Sequence, residues 1–328
     1  MFKKIKSWLL PESLDVKIER REFLSRSFKG YLALIFSGSI LKGKKLYAEV
    51  NMPNNSDDKN LVVIKSKDIK KETVFKMIDE GFKQMGGIEK FIRKGMNVVI
   101  KPNIGFNSPP ERAHTTNPYI VEAVAKKCVS AGASVKILDR PVHTARLCYK
   151  NCGMTEAAKK SGASVHYVDD RKFKEVRVKN GLNLEDLDVY HELIKADFVI
   201  NVPIAKDHKS ANLTMAMKNL MGVIGGRRGW FHLSLHENIV DFNKAIPVHL
   251  VILDALRILT ANGPASGTLK DVKETRTIIM GTNAVCVDAY TTRLFNKKPA
   301  DIEYLTLAHK EKMGEIDANK MNIKNISL

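Results

Sequence analysis

With 328 residues and 44% hydrophobic content, the chain is globular and long enough to bury a sizeable core, as one large α/β domain or two ordinary ones. The formal charge is +18, but residues 1–48 hold 11 Lys/Arg against 4 Asp/Glu, so they carry +7 and the remainder carries +11. That excess favours an acidic ligand or a negatively charged surface, while the lack of any arginine-rich or aromatic-interleaved run speaks against nucleic acid.

The chain begins with a lysine-bearing stretch, then Arg20-Arg21-Glu22-Phe23-Leu24, then an apolar run over 30–41 that is too short to span a bilayer comfortably. Two arginines, one free position, phenylalanine and leucine ahead of a weakly apolar core resemble a twin-arginine export signal, with Arg20, Arg21, Phe23 and Leu24 as its matching residues. This implies the twin-arginine export machinery as a partner and a location in the periplasm or on the outer face of the cytoplasmic membrane. Cleavage would follow Ala48, although Leu46 is larger than the small residue usual at that place. An uncleaved leader would anchor the chain in the membrane. Residues 49–60 are polar and lack periodicity, so they are expected to link the leader (1–48) to a single α/β domain over 61–328.

From there strand and helix patterns alternate. Strands are expected at 61–65, 97–101, 134–138, 164–168, 173–178, 197–202, 249–253 and 276–280. Helices are expected at 71–92, with Gly86-Gly87 interrupting, and at 118–130, 155–160, 237–245, 284–295 and 302–311. Pro118 after Thr116 and Asn117 is a good helix start, because proline has no N–H to waste in the first turn. Such alternation predicts a mostly parallel sheet with helices on both faces and a ligand cleft at the carboxyl ends of the strands. Polar residues recur at those exits: Lys101 and Asn103, Asp139 and Arg140, Lys206 and His208, and Asp254. Gly263-Pro264 with Gly267 adds a loop held in one shape.

Residues 201–236 gather most of the candidate chemistry. After the strand ending at Val202, Pro203 marks an exit, and Lys206, Asp207, His208 and Lys209 are read as a basic loop. A helix is expected to follow from Ser210 or Asn212, with Leu213, Met217, Leu220, Met221 and Ile224 on its core face and Gly225-Gly226 stopping it. On that helix Thr214, Lys218 and Gly222 would form a stripe beside the core, offering a hydroxyl, an ammonium and bare backbone to a cleft. His208, His232 and His236 are candidate metal or anion ligands, but no Glu follows His232, so the zincin pattern is absent. Cys128 and Cys286 fall in core settings, and Cys148 and Cys152 sit one helical turn apart, open to a core, disulfide, redox or metal role.

Several of these stretches together resemble the bacterial and archaeal family called domain of unknown function three-six-two. They are Val99-Ile100-Lys101-Pro102-Asn103, Thr115-Thr116-Asn117-Pro118, Asn201-Val202-Pro203 with Lys206 and His208, and Leu213-Thr214 through Lys218-Asn219-Leu220-Met221-Gly222. His232, Asp254, Gly263-Pro264 with Gly267, and Val287-Asp288-Ala289 complete the set. The resemblance implies the α/β fold and the positions of the site, not a reaction. Some family members carry a twin-arginine leader and others a ferredoxin-like iron–sulfur domain, yet this chain has no ferredoxin-type cysteine run, so the cofactor stays unassigned.

The expected function is therefore to bind an anionic small molecule or cofactor through Lys101, Asn103, Lys206, Thr214, Lys218, Asn219 and Asp254. His208 or His232 would carry protons if the protein is an enzyme in a redox-related pathway. The alternative is a non-catalytic cofactor-binding or maturation factor for an exported partner.

Overall fold

The computed structural model describes residues 47–328, so the twin-arginine motif at Arg20, Arg21, Phe23 and Leu24 lies outside the described residues. Twelve strands are described: β1 (Asn60–Lys65), β2 (Asn97–Pro102), β3 (Ser134–Asp139), β4 (Ser164–Tyr167), β5 (Phe173–Arg177), β6 (Asp186–Tyr190), β7 (Phe198–Val202), β8 (Ile204–His208), β9 (Asn212–Thr214), β10 (Leu250–Leu259), β11 (Val272–Gly281) and β12 (Asn322–Ser327). The main sheet runs β12-β1-β11-β10-β7-β2-β3-β4, and β8 joins it beside β10, with β9 on its other edge. Every pair from β10 to β4 is parallel, as is β1 with β12, while β11 is antiparallel to both its neighbours. The expected mostly parallel sheet is what forms, and the hairpin of β5 and β6 stands apart from it.

Side chains alternate along each strand, so the sheet divides the interior into two cores. Val62, Ile64, Val98, Ile100, Ile200 and Ile252 pack under the helices Lys71–Gln84 and Pro118–Ser130. Leu61, Val63, Val99, Val199, Val251 and Leu253 face the other way, onto Leu235–Ala245, Ala284–Thr291 and Glu303–Lys310. The helix Pro118–Ser130 starts where proline placed it, with the Asn117 side chain accepting from the amide of Tyr119. The first long helix stops at Gln84, short of 92, because Gly86 and Gly87 both take positive φ and turn the chain out.

Residues 49–60 lie against the body: the Asn55 amide donates to the Val248 and Thr282 carbonyls, and Thr282 Oγ1 donates to Asp58. Two expectations change. Residues 206–208 are strand, not loop, and residues 212–214 pair back on them. The helix expected from Ser210 shrinks to Ala216–Asn219, continued by a single tight turn over Leu220–Val223. The apolar spacing that suggested one helix is met instead by two short pieces, because β8 finds a non-local partner in β10.

Candidate functional site

Strands β2, β3 and β7 all end at one edge of the sheet, and the chain leaving them builds a cleft of about 100 Å³. It is lined by Lys101, Asn103, Phe106, Asp139, Arg140, Lys206, His208, Thr214, Lys218, Asn219, Gly222 and Arg228, among others. Five of these side chains are cationic and one, Asp139, is a carboxylate. A larger hollow of about 180 Å³ under residues 52–56 carries a single ionisable side chain, Lys312, and offers little chemistry.

The hairpin of β8 and β9 sets the geometry. Lys206 stands directly opposite Thr214, and His208 opposite Asn212, so Lys206, His208 and Thr214 leave the same face of the hairpin. Thr214 and Lys218 do border one cleft, as the expected stripe required, but from a strand and a short helix rather than one continuous helix. Gly222 is obligatory there. A Cβ at that position would stand 1.9 Å from Asp139 Oδ1 and 2.9 Å from Lys101 Nζ.

The three lysines differ in their partners. Lys101 Nζ donates to Asp139 Oδ1 at 2.8 Å and to the Pro102 carbonyl at 2.8 Å, and Asp139 Oδ2 accepts from the Ile104 amide. Lys206 Nζ donates to Asn103 Oδ1 at 3.2 Å and to the His114 carbonyl, and it lies 4.9 Å from the centre of the Phe106 ring. Lys218 Nζ meets only the Met221 sulfur, at 3.9 Å. Among the described residues no carboxylate lies within ion-pair distance of Lys206 or Lys218, although both are buried. Burial, with the Lys218 charge adding to it, lowers the Lys206 pKa to about 7, and burial lowers Lys218 to about 8. The Phe106 face works the other way, since its quadrupole favours the ammonium.

Amides hold this corner in place. Asn219 Nδ2 donates to Asn201 Oδ1 and to the Lys101 carbonyl, and its Oδ1 accepts from Asn103 Nδ2, which leaves Asn103 Oδ1 facing Lys206. Asn219 is thus occupied by the protein and positions its neighbours, whereas Asn201, which carries the family resemblance but is not among the candidate ligands, anchors the chain by donating to the Ala216 carbonyl. Asp288 accepts from the amides of Ala216 and Met217 and ties down the start of the lysine-bearing helix. Burial raises its pKa to about 7.

His208 accepts backbone amides of Ser210 and Ala211 at Nδ1, so its neutral ring carries the proton on Nε2. Burial first, then Lys218, His232 and Lys206, lower its pKa to about 3, which keeps it uncharged at neutral pH. His232 lies exposed outside the cleft, its ring stacked on His208 with centroids 6.3 Å apart. His236 pairs with Glu303 at 3.5 Å, away from the cleft residues. Among the described residues no group of three or more His, Cys, Asp or Glu is placed to hold a metal ion. All four cysteines are buried and unpaired.

Asp254 does not reach the cleft. Its carboxylate is buried and accepts from the amides of Asn117 and Leu256, so it caps a helix start and a strand irregularity instead of facing a ligand. The lining also includes Phe106, Asp139, Arg140 and Arg228, which had no place among the candidates. Asp139 and Arg140 were marked by their strand exit. Phe106 gave no signal, and Arg228 is fixed only by distant contacts, donating to the carbonyls of Arg140 and Pro141 at 2.6 and 3.1 Å.

The family model described as Domain of unknown function (DUF362) matches residues 98–293, well over half of the chain and every residue that lines the cleft. The chain belongs to this family. A thylakoid-associated protein of Synechocystis sp. is 28% identical over 244 residues, covering 70% of this chain and 72% of its own length. Two solved structures are distantly alike. The lactate racemase apoprotein of Thermoanaerobacterium thermosaccharolyticum gives a TM-score of 0.42 at 11% identity, over 71% of this chain and 56% of that one. A Thermotoga maritima protein gives 0.41 at 10% identity, over 71% and 60%. The chain thus spans less than two thirds of either structure, and likeness at this level says nothing about chemistry.

Proposed function

We propose that this DUF362 protein binds a small anionic molecule or cofactor in the cleft between Lys206, Lys218 and Thr214. One observation carries the proposal: among the described residues two buried lysines lack a carboxylate partner, and the Thr214 hydroxyl beside them is buried with no hydrogen-bond partner. A protein interior holds uncompensated cations only at a cost of several kcal/mol, and an anion that accepts from all three groups removes that cost. Lys206, with a pKa near 7, is also the group best suited to move a proton, and His208 offers an Nε2–H donor rather than a base. If the protein is an enzyme, these two groups divide that work.

The test is thermal stabilisation of the protein by phosphates, nucleotides, carboxylates and flavins, repeated with Lys206→Ala and Lys218→Ala. A ligand that raises the melting temperature of the parent and not of the variants supports the site. An unchanged response in both variants assigns the binding elsewhere.

We also propose export by the twin-arginine route, supported by Arg20-Arg21-Glu22-Phe23-Leu24 and in keeping with a relative described as thylakoid-associated. Replacing Arg20 and Arg21 by Lys should keep the precursor in the cytoplasm, and normal delivery of that variant would exclude the route.

A further inference from the structure

We propose that the ligand of this cleft is a small 2-oxo acid and that Lys206 Nζ forms an imine with its carbonyl while Lys218 and Thr214 hold its carboxylate. The inference rests on the anion-binding role above and specifies the chemistry of the same site.

The geometry divides the labour among the three lysines. Lys101 is tied to the Asp139 carboxylate and to the Pro102 carbonyl, so its nitrogen is committed to partners within the protein. Lys206 has two acceptors, Asn103 Oδ1 and the His114 carbonyl, which match the two hydrogens of a neutral amine. Among the described residues no carboxylate holds a third proton there, so that nitrogen has access to its neutral, nucleophilic form. Two like charges buried in one cleft resist being present together, and a second cation is a known means of freeing a lysine for attack on a carbonyl. Burial and the neighbouring Lys218 charge lower the Lys206 pKa to about 7, which gives that amine a substantial free-base share at neutral pH. Lys218, whose N–H groups meet only the weakly accepting Met221 sulfur among the described residues, is available to a carboxylate.

Thr214, the cross-strand partner of Lys206, contributes the unpartnered hydroxyl next to the amine. A carboxylate one bond away from the electrophilic carbon spans neighbouring groups of this kind.

The step balances without a redox partner. Lys206 Nζ forms a bond to the carbonyl carbon, the C–O π pair moves to oxygen, and that oxygen gains a proton as Nζ gives one up through solvent, leaving a neutral carbinolamine. The hydroxyl then leaves with a further proton as water, giving an iminium on Nζ. The neutral amine and the ketone together release one water, and the net uptake is one proton.

The experiment treats the full chain at pH 7 with glyoxylate or pyruvate and borohydride, then maps labelled lysines by peptide mass spectrometry. Malonate, which has no reactive ketone, is titrated separately by thermal shift. The peptide bearing Lys206 should be labelled roughly 100- to 1,000-fold more than peptides bearing exposed lysines, since an amine about three pKa units lower has that much more free base. Lys206→Arg should lose the label while keeping a cooperative melting transition. Wild-type protein that binds malonate and gives no adduct overturns the imine and leaves anion binding intact. Label on Lys218 instead, label spread over exposed lysines, or full labelling of Lys206→Arg overturns it equally. Absence of both malonate binding and adduct removes both proposals.

Discussion

Two corners of one cleft hold the same residue type in opposite circumstances. At one corner Lys101 meets Asp139 at 2.8 Å, with the other carboxylate oxygen bonded to the Ile104 amide, so every charge there is answered by the protein. At the other, Lys206 and Lys218 are as deeply buried and have no counter-ion among the described residues. The contrast separates a lysine that holds the site's shape from lysines that await a ligand. It also shows why listing Lys101, Lys206 and Lys218 as equivalents on sequence grounds was too coarse.

The largest effect should come from the paired corner. Lys101→Ala leaves Asp139 as a buried carboxylate without its cation, and breaking a buried pair by removing one partner costs about 3–5 kcal/mol. The melting temperature and denaturant midpoint should both fall well below those of the parent. A loss under about 1 kcal/mol would mean that the Asp139 corner is wetter than its geometry indicates, and the comparison would fail.

The opposite sign is expected at the unpaired corner. Lys218→Met removes a buried charge whose protein contact is only the Met221 sulfur among the described residues, so the ligand-free protein should gain about 1–3 kcal/mol near pH 7, whereas Lys206→Met, which also strands Asn103 Oδ1 and the His114 carbonyl, should gain less. The pH dependence sharpens this. In the folded state the two groups have pKa values of about 7 and 8, below the ordinary lysine value of 10.5. Between those limits the unfolded chain binds more protons than the folded one, so their contribution to stability increases as pH is raised from about 7 towards 10. That rise should vanish in the double Met variant. A saturating anion should flatten it too, because an anion restores the ammonium form. A wild-type profile that falls monotonically over that range would contradict the unpaired state of both groups.

These predictions depend on contacts that the sequence carries unevenly. Local rules placed the strands at 60–65, 97–102 and 134–139 and the helix Pro118–Ser130 almost to the residue, because each rests on its own short apolar run or on a proline at a helix start. The polar residues at the ends of β2, β3 and β7 were legible as a converging set for the same reason, since a parallel sheet brings its carboxyl ends together. What the sequence does not carry is pairing across distance. Asp254 stands after an apolar run like a ligand residue, yet its partner is an amide 137 positions away. The run from Ser210 to Ile224 has helical spacing, yet β8 pairs with β10, some 50 residues on, and turns its first half into a hairpin. Thr214 and Lys218 reached the cleft in both accounts, but only the hairpin explains why Lys206 and Thr214 share a face. The His232 assignment misled for a related reason: stacking beside His208 puts it near the cleft without giving it a place in the lining.

The smallest expected effect is the most selective one. Thr214→Val keeps the shape and branching of the side chain and removes only the hydroxyl, which is buried and has no partner in the protein. An ordinary buried Thr→Val change forfeits a hydrogen bond, but here there is none to lose, and removing an unpaired polar group relieves a desolvation cost. Ligand-free stability should therefore stay level or rise by about 1 kcal/mol. Binding of whichever anion stabilises the parent should weaken by about 0.5–1.5 kcal/mol, or roughly 2- to 12-fold, the contribution of one hydrogen bond. Opposite movements in the two measurements identify a hydroxyl that serves the ligand and not the fold. Should Thr214→Val destabilise the ligand-free protein and leave anion affinity unchanged, the hydroxyl has an internal partner, and the cleft loses the neutral donor that sets it apart from a plain cluster of lysines.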